Sequence, residues 1–260
     1  MHVLLNTALR PVIGHRGNAA HAPENTLESF RQAVALGVDA LEMDVHLTGD
    51  GTVVVIHDST LDRTTDRSGR VDRLSLGEIQ DADAGARFTP DRGATWPYLD
   101  YGITVPTLDD VLVSYPDTPL LIEIKTAAAS RATRRVIEER GAVGRCIVAS
   151  FDWRALEAFS GSGIATGSSY RDTLRLLARA IVRVPPARVS FDAMCMPPEY
   201  RGIPLPVGGY ARILSASGIP VHVWTVDEPA EARRLWRKGV CGMITNDPAT
   251  LLEVRRRMDG

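Results

Sequence analysis

Short β-branched runs alternate with helical patterns along almost the whole chain. No other feature narrows the fold as much, because this alternation is the signature of repeated βα units. The candidate strands are PVIGHRG, ALEMDVHL, TVVVIHD, PLLIEIK, RCIVASFD, IATGSSY, ARVSF, IPVHVWTV and CGMITNDP. The last two flank a clear helical stretch, EPAEARRLWRKG. These nine are one too many for an eight-stranded α/β barrel, and ARVSF or IATGSSY is expected to be short or outside it. A chain of 260 residues suits such a barrel as a single unit. Between the first two strands, NTLESFRQAVALG reads as a helix. Asn25 and Glu28 resemble a capping box, Phe30, Ala33, Val34 and Leu36 supply an apolar face, and Gly37 is a C-terminal stop.

Residues 59–104 break the rhythm. They are polar, rich in Asp, Arg and Gly, with one short helix expected around Ser75 to Asp81. A loop this long inside a compact domain is usually functional. The expected organisation is therefore a barrel from residues 1–58 and 105–260, with 59–104 as an insertion subdomain over its mouth. A net charge of −2 and a pI of about 6.3 provide no basic field for nucleic acid. Cys146, Cys195 and Cys241 are far apart and odd in number, which fits a reduced, cytoplasmic protein better than a disulfide or zinc framework. The N-terminal stretch does not read as a signal peptide, and no apolar run approaches the ~20 residues of a membrane span. Oligomeric state is not legible.

Two of the strands carry charges that a core does not tolerate. Residues two apart on a strand share a face. Glu42 and Asp44, with His46 beyond them, lie on one face of ALEMDVHL, and Glu123 and Lys125 do so on LLIEIK. Leu41, Met43, Ile122 and Ile124 fill the opposite faces. Converging carboxylates repel, and are relieved by a bound cation, by proton sharing or by basic partners. An all-oxygen carboxylate set suits Mg²⁺, Ca²⁺ or Mn²⁺ more than zinc. His15 and His57 close their strands, and a barrel gathers strand C-terminal ends into one face where active sites sit. If TVVVIHD runs parallel to ALEMDVHL, both histidines meet the acids there. TGDG also reads as a hairpin turn, which would set His57 opposite Glu42. In either topology an acid/base pair near neutral pH results.

HRG, PENT, LEMDVHLTGDGTVVVIHD, LDRTT, VPTL, LIEIK, ASF, HVWTV and ITNDP occur in this order. The ordered set resembles the glycerophosphodiester phosphodiesterase family over nearly the whole chain. The resemblance implies a TIM (β/α)8 barrel with a small insertion after the third strand. It implies a divalent metal, Mg²⁺ or Ca²⁺, held by Glu42, Asp44 and Glu123. It implies His15 and His57 as the acid/base pair, Arg16 and Lys125 on the phosphate, and Trp224 lining the glycerol pocket. One histidine would deprotonate the nucleophile, either water or the substrate's own glycerol hydroxyl, and the other would protonate the leaving alkoxide. The expected products are glycerol 3-phosphate and an alcohol such as choline or ethanolamine, released from a small-molecule phosphodiester.

Structural alternatives stand beside several of these roles. Arg16 and Lys125 are also suitable partners for the acids, Asn25 is a helix N-cap or a ligand contact, and Trp224 is a pocket or a core residue. His46 and His222 are read as packing or supporting residues, and His21 as surface or site edge. Tyr98, Tyr101 and Trp96 cover the pocket or hold the insertion together. Two rival functions remain. A lysophospholipase D would need a long apolar groove and a membrane-facing patch, and no amphipathic basic segment is legible to support it. A non-catalytic glycerophosphodiester-binding protein would be expected to lack a histidine or a metal ligand, and none is lacking.

Overall fold

The structure, a computed structural model, describes residues 2–259. In chain order the elements are β1 (Val12–His15), α1 (Leu27–Leu36), β2 (Ala40–Leu47), β3 (Val53–Val55), α2 (Leu76–Gln80), α3 (Leu108–Ser114), β4 (Leu120–Ile124), α4 (Ser130–Glu139), β5 (Cys146–Ala149), α5 (Trp153–Glu157), β6 (Ala165–Thr166), α6 (Tyr170–Val182), β7 (Met194–Met196), β8 (Glu199–Tyr200), β9 (Ile203–Pro204), α7 (Val207–Ser215), β10 (Val221–Val223), α8 (Pro229–Arg237), β11 (Gly242–Thr245) and α9 (Pro248–Asp259). Eight of the strands run parallel in the order β6-β5-β4-β2-β1-β11-β10-β7. The ring closes between β6 and β7 through a parallel bridge, Gly167 to Ala193, where the Ser168 N–H donates to the Ala193 carbonyl at 2.9 Å. The fold is a TIM (β/α)8 barrel.

Strand period explains the layers. Inward residues Ile13, Ala40, Leu121, Ile147, Ala193 and Ile244 form one apolar cluster, joined by Leu4 from the N-terminal segment. Outward residues of β2, β4 and β5, among them Met43, Ile122 and Val148, pack with Phe30, Leu108 and Ile137 of the surrounding helices. Outward residues of β1, β7, β10 and β11 pack with the later helices in the same way. Each fully buried Leu, Ile or Val side chain contributes about 1.5–3 kcal/mol. Because β1, β2 and β4 are apolar at their first inward positions, the interior is a packed plug below the mouth, and on these three strands ionisable residues begin only one or two inward positions further along.

Several strand and helix expectations are corrected. IATGSSY is short, as expected, giving only the two residues of β6, but neither it nor ARVSF is the surplus strand. The surplus strand is β3, which pairs antiparallel with β2 in register Val45 to Val55 and so forms a hairpin on the barrel wall. IATGSSY contributes β6, and the strand expected at ARVSF lies slightly later, at Met194–Met196. Continuing the hairpin register would set His57 opposite Met43, one position away from Glu42. The α1 cap is Thr26, extended and accepting from the Ser29 N–H, because Asn25 sits at a φ of 59° and turns its amide elsewhere. Gly37 ends the helix as expected, left-handed at a φ of 88°. Val34 and Leu36 are exposed, so the buried face of α1 is Phe30, Ala33 and Ser29. The helix expected near Ser75 forms, with a reciprocal Ser75/Glu78 capping box. In residues 59–104, Leu61, Val71, Ile79, Ala82 and Ala84 pack on Val54, Ile56 and Val105.

Candidate active site

The register of β1, β2 and β4 assembles the mouth. His15 lies beside Glu42, and Asp44 lies beside Glu123. One carboxylate oxygen from each of Glu42, Asp44 and Glu123 lies within 4.8 Å of the others. The HRG turn carries Arg16 over them. Arg16 is left-handed at a φ of 52° and Gly17 at 93°, and a Cβ on Gly17 would stand 2.4 Å from Ser29 Oγ, so only glycine lets the turn press against α1. Arg16 places Nε 3.1 Å from Asp44 and Nη1 2.8 Å from Glu24, and its N–H donates to Glu42 at 3.0 Å. Lys125 donates to Glu123 at 2.9 Å and to Asp44 at 3.2 Å. The Asn25 amide donates to Asp44 at 3.0 Å, so Asn25 aims a carboxylate rather than capping a helix.

The electrostatics are divided among the three acids. Burial, reinforced by Asp44, pushes the Glu42 carboxyl well above the usual carboxylate range. Burial also raises Glu123, with Lys125 opposing it. Burial works against the charge of Asp44 too, but Lys125, Arg16 and the Asn25 amide together hold its carboxyl below the usual range. Three carboxylates face two cations, Arg16 and Lys125, leaving one excess negative charge. A divalent cation would offset that excess and allow a monoanionic phosphodiester to enter. Hard oxygen donors with that charge balance fit Mg²⁺ or Ca²⁺.

Both histidines are held through Nδ1. His15 Nδ1 lies 2.7 Å from Asn246 Oδ1. The amide of Asn246 is oriented because its Nδ2 donates to Asp227 at 2.8 Å, so Oδ1 is left to accept from His15, and Nε2 of the ring lies 3.9 Å from the Glu42 carboxylate. Burial and the adjacent Arg16 lower the His15 pKa. His57 Nδ1 lies 2.6 Å from Asp58, and Arg63 fixes Asp58 at 2.7 Å. The same guanidinium reaches Glu24 at 2.7 and 2.8 Å, and Glu24 in turn holds Arg16. Sequence reasoning assigned no role to Glu24, Asp58, Arg63, Asp227 and Asn246. Four of them stand inside PENT, HD, LDRTT and ITNDP, so the signal was present without a partner to interpret it.

An open cavity contains His15, Arg16, Glu42, His57, Glu123 and Lys125 in its lining. Trp224 lines it too, edge-on to Phe151 with ring centroids 5.7 Å apart. Ser168 is in the lining as well, and its buried hydroxyl has no protein partner. No residue of 59–104 is in the lining. Tyr98 packs instead edge-on with Phe88 and Tyr101, and Arg63 acts on the site only through Asp58 and Glu24. His46 bonds the His57 carbonyl at 3.1 Å, a supporting role. His222 lies deep in the barrel, bonded to the Leu4 carbonyl, and burial pushes its pKa down to about 4. His21 is exposed, 3.6 Å from Asp247.

Residues 15–250 match the family described as the glycerophosphoryl diester phosphodiesterase family. The chain is 33% identical over 254 residues to a glycerophosphodiester phosphodiesterase of Caldanaerobacter subterraneus subsp. tengcongensis, covering 95% of this chain and 98% of that one. It is 28% identical over 263 residues to a glycerophosphodiester phosphodiesterase of Bacillus subtilis, covering 94% and 86%. A glycerophosphoryl diester phosphodiesterase domain from Mycobacterium tuberculosis shares the fold with a TM-score of 0.84 at 22% identity, covering 95% of this chain and 99% of that one. An Oleispira antarctica phosphodiesterase solved with its product sn-glycerol-3-phosphate superposes with a TM-score of 0.72 at 26% identity, covering 98% of each chain.

Proposed function

This chain belongs to the glycerophosphoryl diester phosphodiesterase family and is a phosphoric diester hydrolase, and from that premise we propose how its site works, with which ion and on what substrate. The substrate is a glycerophosphodiester such as glycerophosphocholine or glycerophosphoethanolamine, cleaved to glycerol 3-phosphate and the alcohol. The observation that carries this reading is the convergence of three carboxylates and His15 at the C-terminal ends of barrel strands with His57, which follows the β3 hairpin, both histidines being tied through Nδ1. Glu42, Asp44 and Glu123 would hold a divalent ion, Mg²⁺ or Ca²⁺. The ion, when bound, supplies positive charge against the charge developing on the phosphoryl oxygens. Arg16 and Lys125 hold the phosphate from the protein side, Arg16 with a planar fork and Lys125 with a mobile point charge. In net terms one water is consumed: a new oxygen–phosphorus bond forms and the bond to the alcohol oxygen breaks. One of His15 and His57 takes the nucleophile's proton, and the other delivers a proton to the departing alkoxide. Such positioned transfers contribute about 10²–10⁴-fold each. Trp224 walls the glycerol side. Residues 59–104 act as an insertion subdomain beside the mouth, with Arg63 as its link to the chemistry. The cytoplasm is the compartment that three widely separated, free cysteines favour.

The test is release of glycerol 3-phosphate from glycerophosphocholine and glycerophosphoethanolamine with Mg²⁺, Ca²⁺, Mn²⁺ or EDTA, repeated with His15→Ala and Glu42→Ala. Turnover that needs the ion and both residues is expected. A folded protein that binds these diesters yet turns none of them over with any ion would instead be a binding protein on the same barrel.

A further inference from the structure

The cavity does not end at the charged centre. Opposite the acids it continues into an apolar limb walled by Phe151, Tyr170, Leu174, Leu177, Tyr200 and Leu205. An ethanolamine head has nothing apolar to fill such a limb, and the trimethylammonium of a choline head would cover only part of its aromatic wall. Beyond it the apolar surface runs out onto α6 and the β8–β9 hairpin. Leu174 is 51% exposed, Ile181 62%, Val182 65% and Ile203 67%. Tyr170 and Tyr200 join helix and hairpin, with ring centroids 5.6 Å apart.

The same helix carries a second stripe. Leu174, Leu177, Ala178 and Ile181 follow i, i+3, i+4, i+7 spacing, and Arg171, Arg175 and Arg179 run beside them at four-residue spacing. Arg183, Arg188 and Arg201 extend the basic edge, and all six arginines are exposed. Arg171 stacks on Trp153, Arg201 on Tyr200, and Arg179 bonds the Pro185 carbonyl. Residues 170–204 hold six arginines against three acids, a local +3 in a chain of net −2. The segment is thus amphipathic and basic, contrary to the sequence-based expectation. It was not legible because Leu174 and Ile181 look like core until α6 is seen to bury only Leu176 and Ala180 fully.

Resting on the hydrolase function proposed above, we infer that the preferred substrate is a glycerophosphodiester bearing one acyl chain, drawn from an anionic lipid surface on which α6 and the β8–β9 hairpin dock. Continuity of the apolar limb with the charged centre puts the chain and the phosphodiester of one molecule in one cavity. The exposed apolar residues enter the lipid surface, and the arginines meet its anionic head groups, the pattern of helices that lie in a membrane interface. Water and a lysophospholipid give 1-acylglycerol 3-phosphate and the free alcohol: in net terms a bond from the water oxygen to phosphorus forms, the bond from phosphorus to the alcohol oxygen breaks, and a proton from the water ends on that alcohol oxygen.

The experiment compares kcat/KM for lysophosphatidylcholine, kept below its micelle concentration, with kcat/KM for glycerophosphocholine. Choline release is the readout, with Mg²⁺ or Ca²⁺ present. The lysolipid is expected to be the better substrate by about tenfold or more, the worth of burying a few methylenes. Leu174→Glu is expected to lower the lysolipid-to-glycerophosphocholine ratio by a similar factor. In parallel, flotation with vesicles of equal parts phosphatidylcholine and phosphatidylglycerol is expected to carry the wild type at low salt and to lose Ile203→Glu and Arg175→Glu. Turnover of glycerophosphocholine without preference for the lysolipid would overturn the acyl limb and leave the hydrolase function standing. Failure of the wild type to float would overturn the docking surface. Turnover of neither substrate would instead sink the hydrolase chemistry proposed above.

Discussion

Glu42→Gln separates what the site costs the fold from what it does for the reaction. Glu42 is 5% exposed, and its carboxylate accepts the Arg16 N–H at 3.0 Å. A glutamine keeps the volume and that acceptor and removes only the charge. The charge removed lies within 4.8 Å of oxygens on Asp44 and Glu123. At an effective dielectric near ~20, each such contact costs about 3 kcal/mol before Arg16 and Lys125 offset it. Proton uptake relieves much of the remainder, and this repulsion adds to the burial that chiefly raises the Glu42 carboxyl. A net gain of about 1–2 kcal/mol is therefore expected for the metal-free variant near neutral pH, or about 2–8 °C in Tm for a chain of this size. The sign with pH follows from the raised folded value. The stability that protonated Glu42 gives the wild type is complete below the ordinary glutamate range, near pH ~4, and is lost as pH rises through its folded pKa. The advantage of glutamine should accordingly vanish in acid and grow toward alkaline pH. With Mg²⁺ or Ca²⁺ at about 100 times Kd, the wild type gains about 2.7 kcal/mol and the variant little of it, so the order of stability reverses. Calorimetry in EDTA and in each ion across the pH series reads both effects. A variant less stable than wild type in EDTA at alkaline pH, or one with an undiminished ion-induced shift, would refute the reasoning.

Arg63→Ala removes the fork that holds Asp58 and Glu24 together, so kcat should fall about 10–100-fold with a smaller change in KM. Arg63→Lys should recover little, since an ammonium cannot bridge two carboxylates with a planar fork; wild-type kcat in either variant would remove Arg63 from the site. His15→Ala and His57→Ala should each lower kcat about 10²–10⁴-fold, and the double variant should be far less than multiplicative, as steady-state rates would establish. Gly17→Ala should cost about 1–3 kcal/mol or more by urea unfolding, because its Cβ would meet Ser29 at 2.4 Å on a backbone at a φ of 93°. An unchanged unfolding midpoint would mean that the HRG turn can move.

How much the sequence discloses depends on whether a feature is local to one strand. The acids and Lys125 were legible because period-two spacing fixes a face without knowing the neighbour: Glu42 with Asp44, and Glu123 with Lys125. Their convergence needed only the parallel register that a barrel imposes. The hairpin was weaker, since VVVIHD has the same composition whether it joins the barrel or lies on its wall, and only the pairing of β3 with β2 decides. Asn25 misled for a physical reason: the residue type that caps helices also tolerates a left-handed backbone, and Thr26 next to it supplies the cap. The chain from Arg63 through Glu24 to Arg16 was hidden, because its members lie 39 and 8 residues apart and no periodicity links them. The apolar limb was hidden for the same reason, being assembled from α6, the β8–β9 hairpin and the end of β5.

The barrel mouth is polarised, and the polarity follows from which strands change character along their inward face. β1 passes from Ile13 to His15, β2 from Ala40 to Glu42 and Asp44, and β4 from Leu121 to Glu123, with Lys125 just beyond. The other strands do not make that change: β5 ends at Ala149, Gly167 follows β6, and Cys195, Trp224 and Ile244 complete the ring. All the formal charge thus falls on three adjacent strands, and the opposite arc is neutral and largely apolar. An ion and a phosphate can be gathered on one side without desolvating charges on the other. A substrate that is anionic at one end and hydrocarbon at the other matches this division better than one that is polar throughout. For a fully polar diester the neutral arc would offer few hydrogen-bond partners, among them the unpaired hydroxyl of Ser168 beside the polar edges of Trp224, Tyr170 and Tyr200. The two substrates should therefore respond differently to Ser168→Ala. Glycerophosphocholine turnover should fall about tenfold with the loss of that one donor, and turnover of the acyl-bearing substrate should fall less, since its chain already fixes the pose. Equal losses for both would mean that the neutral arc does not discriminate between them.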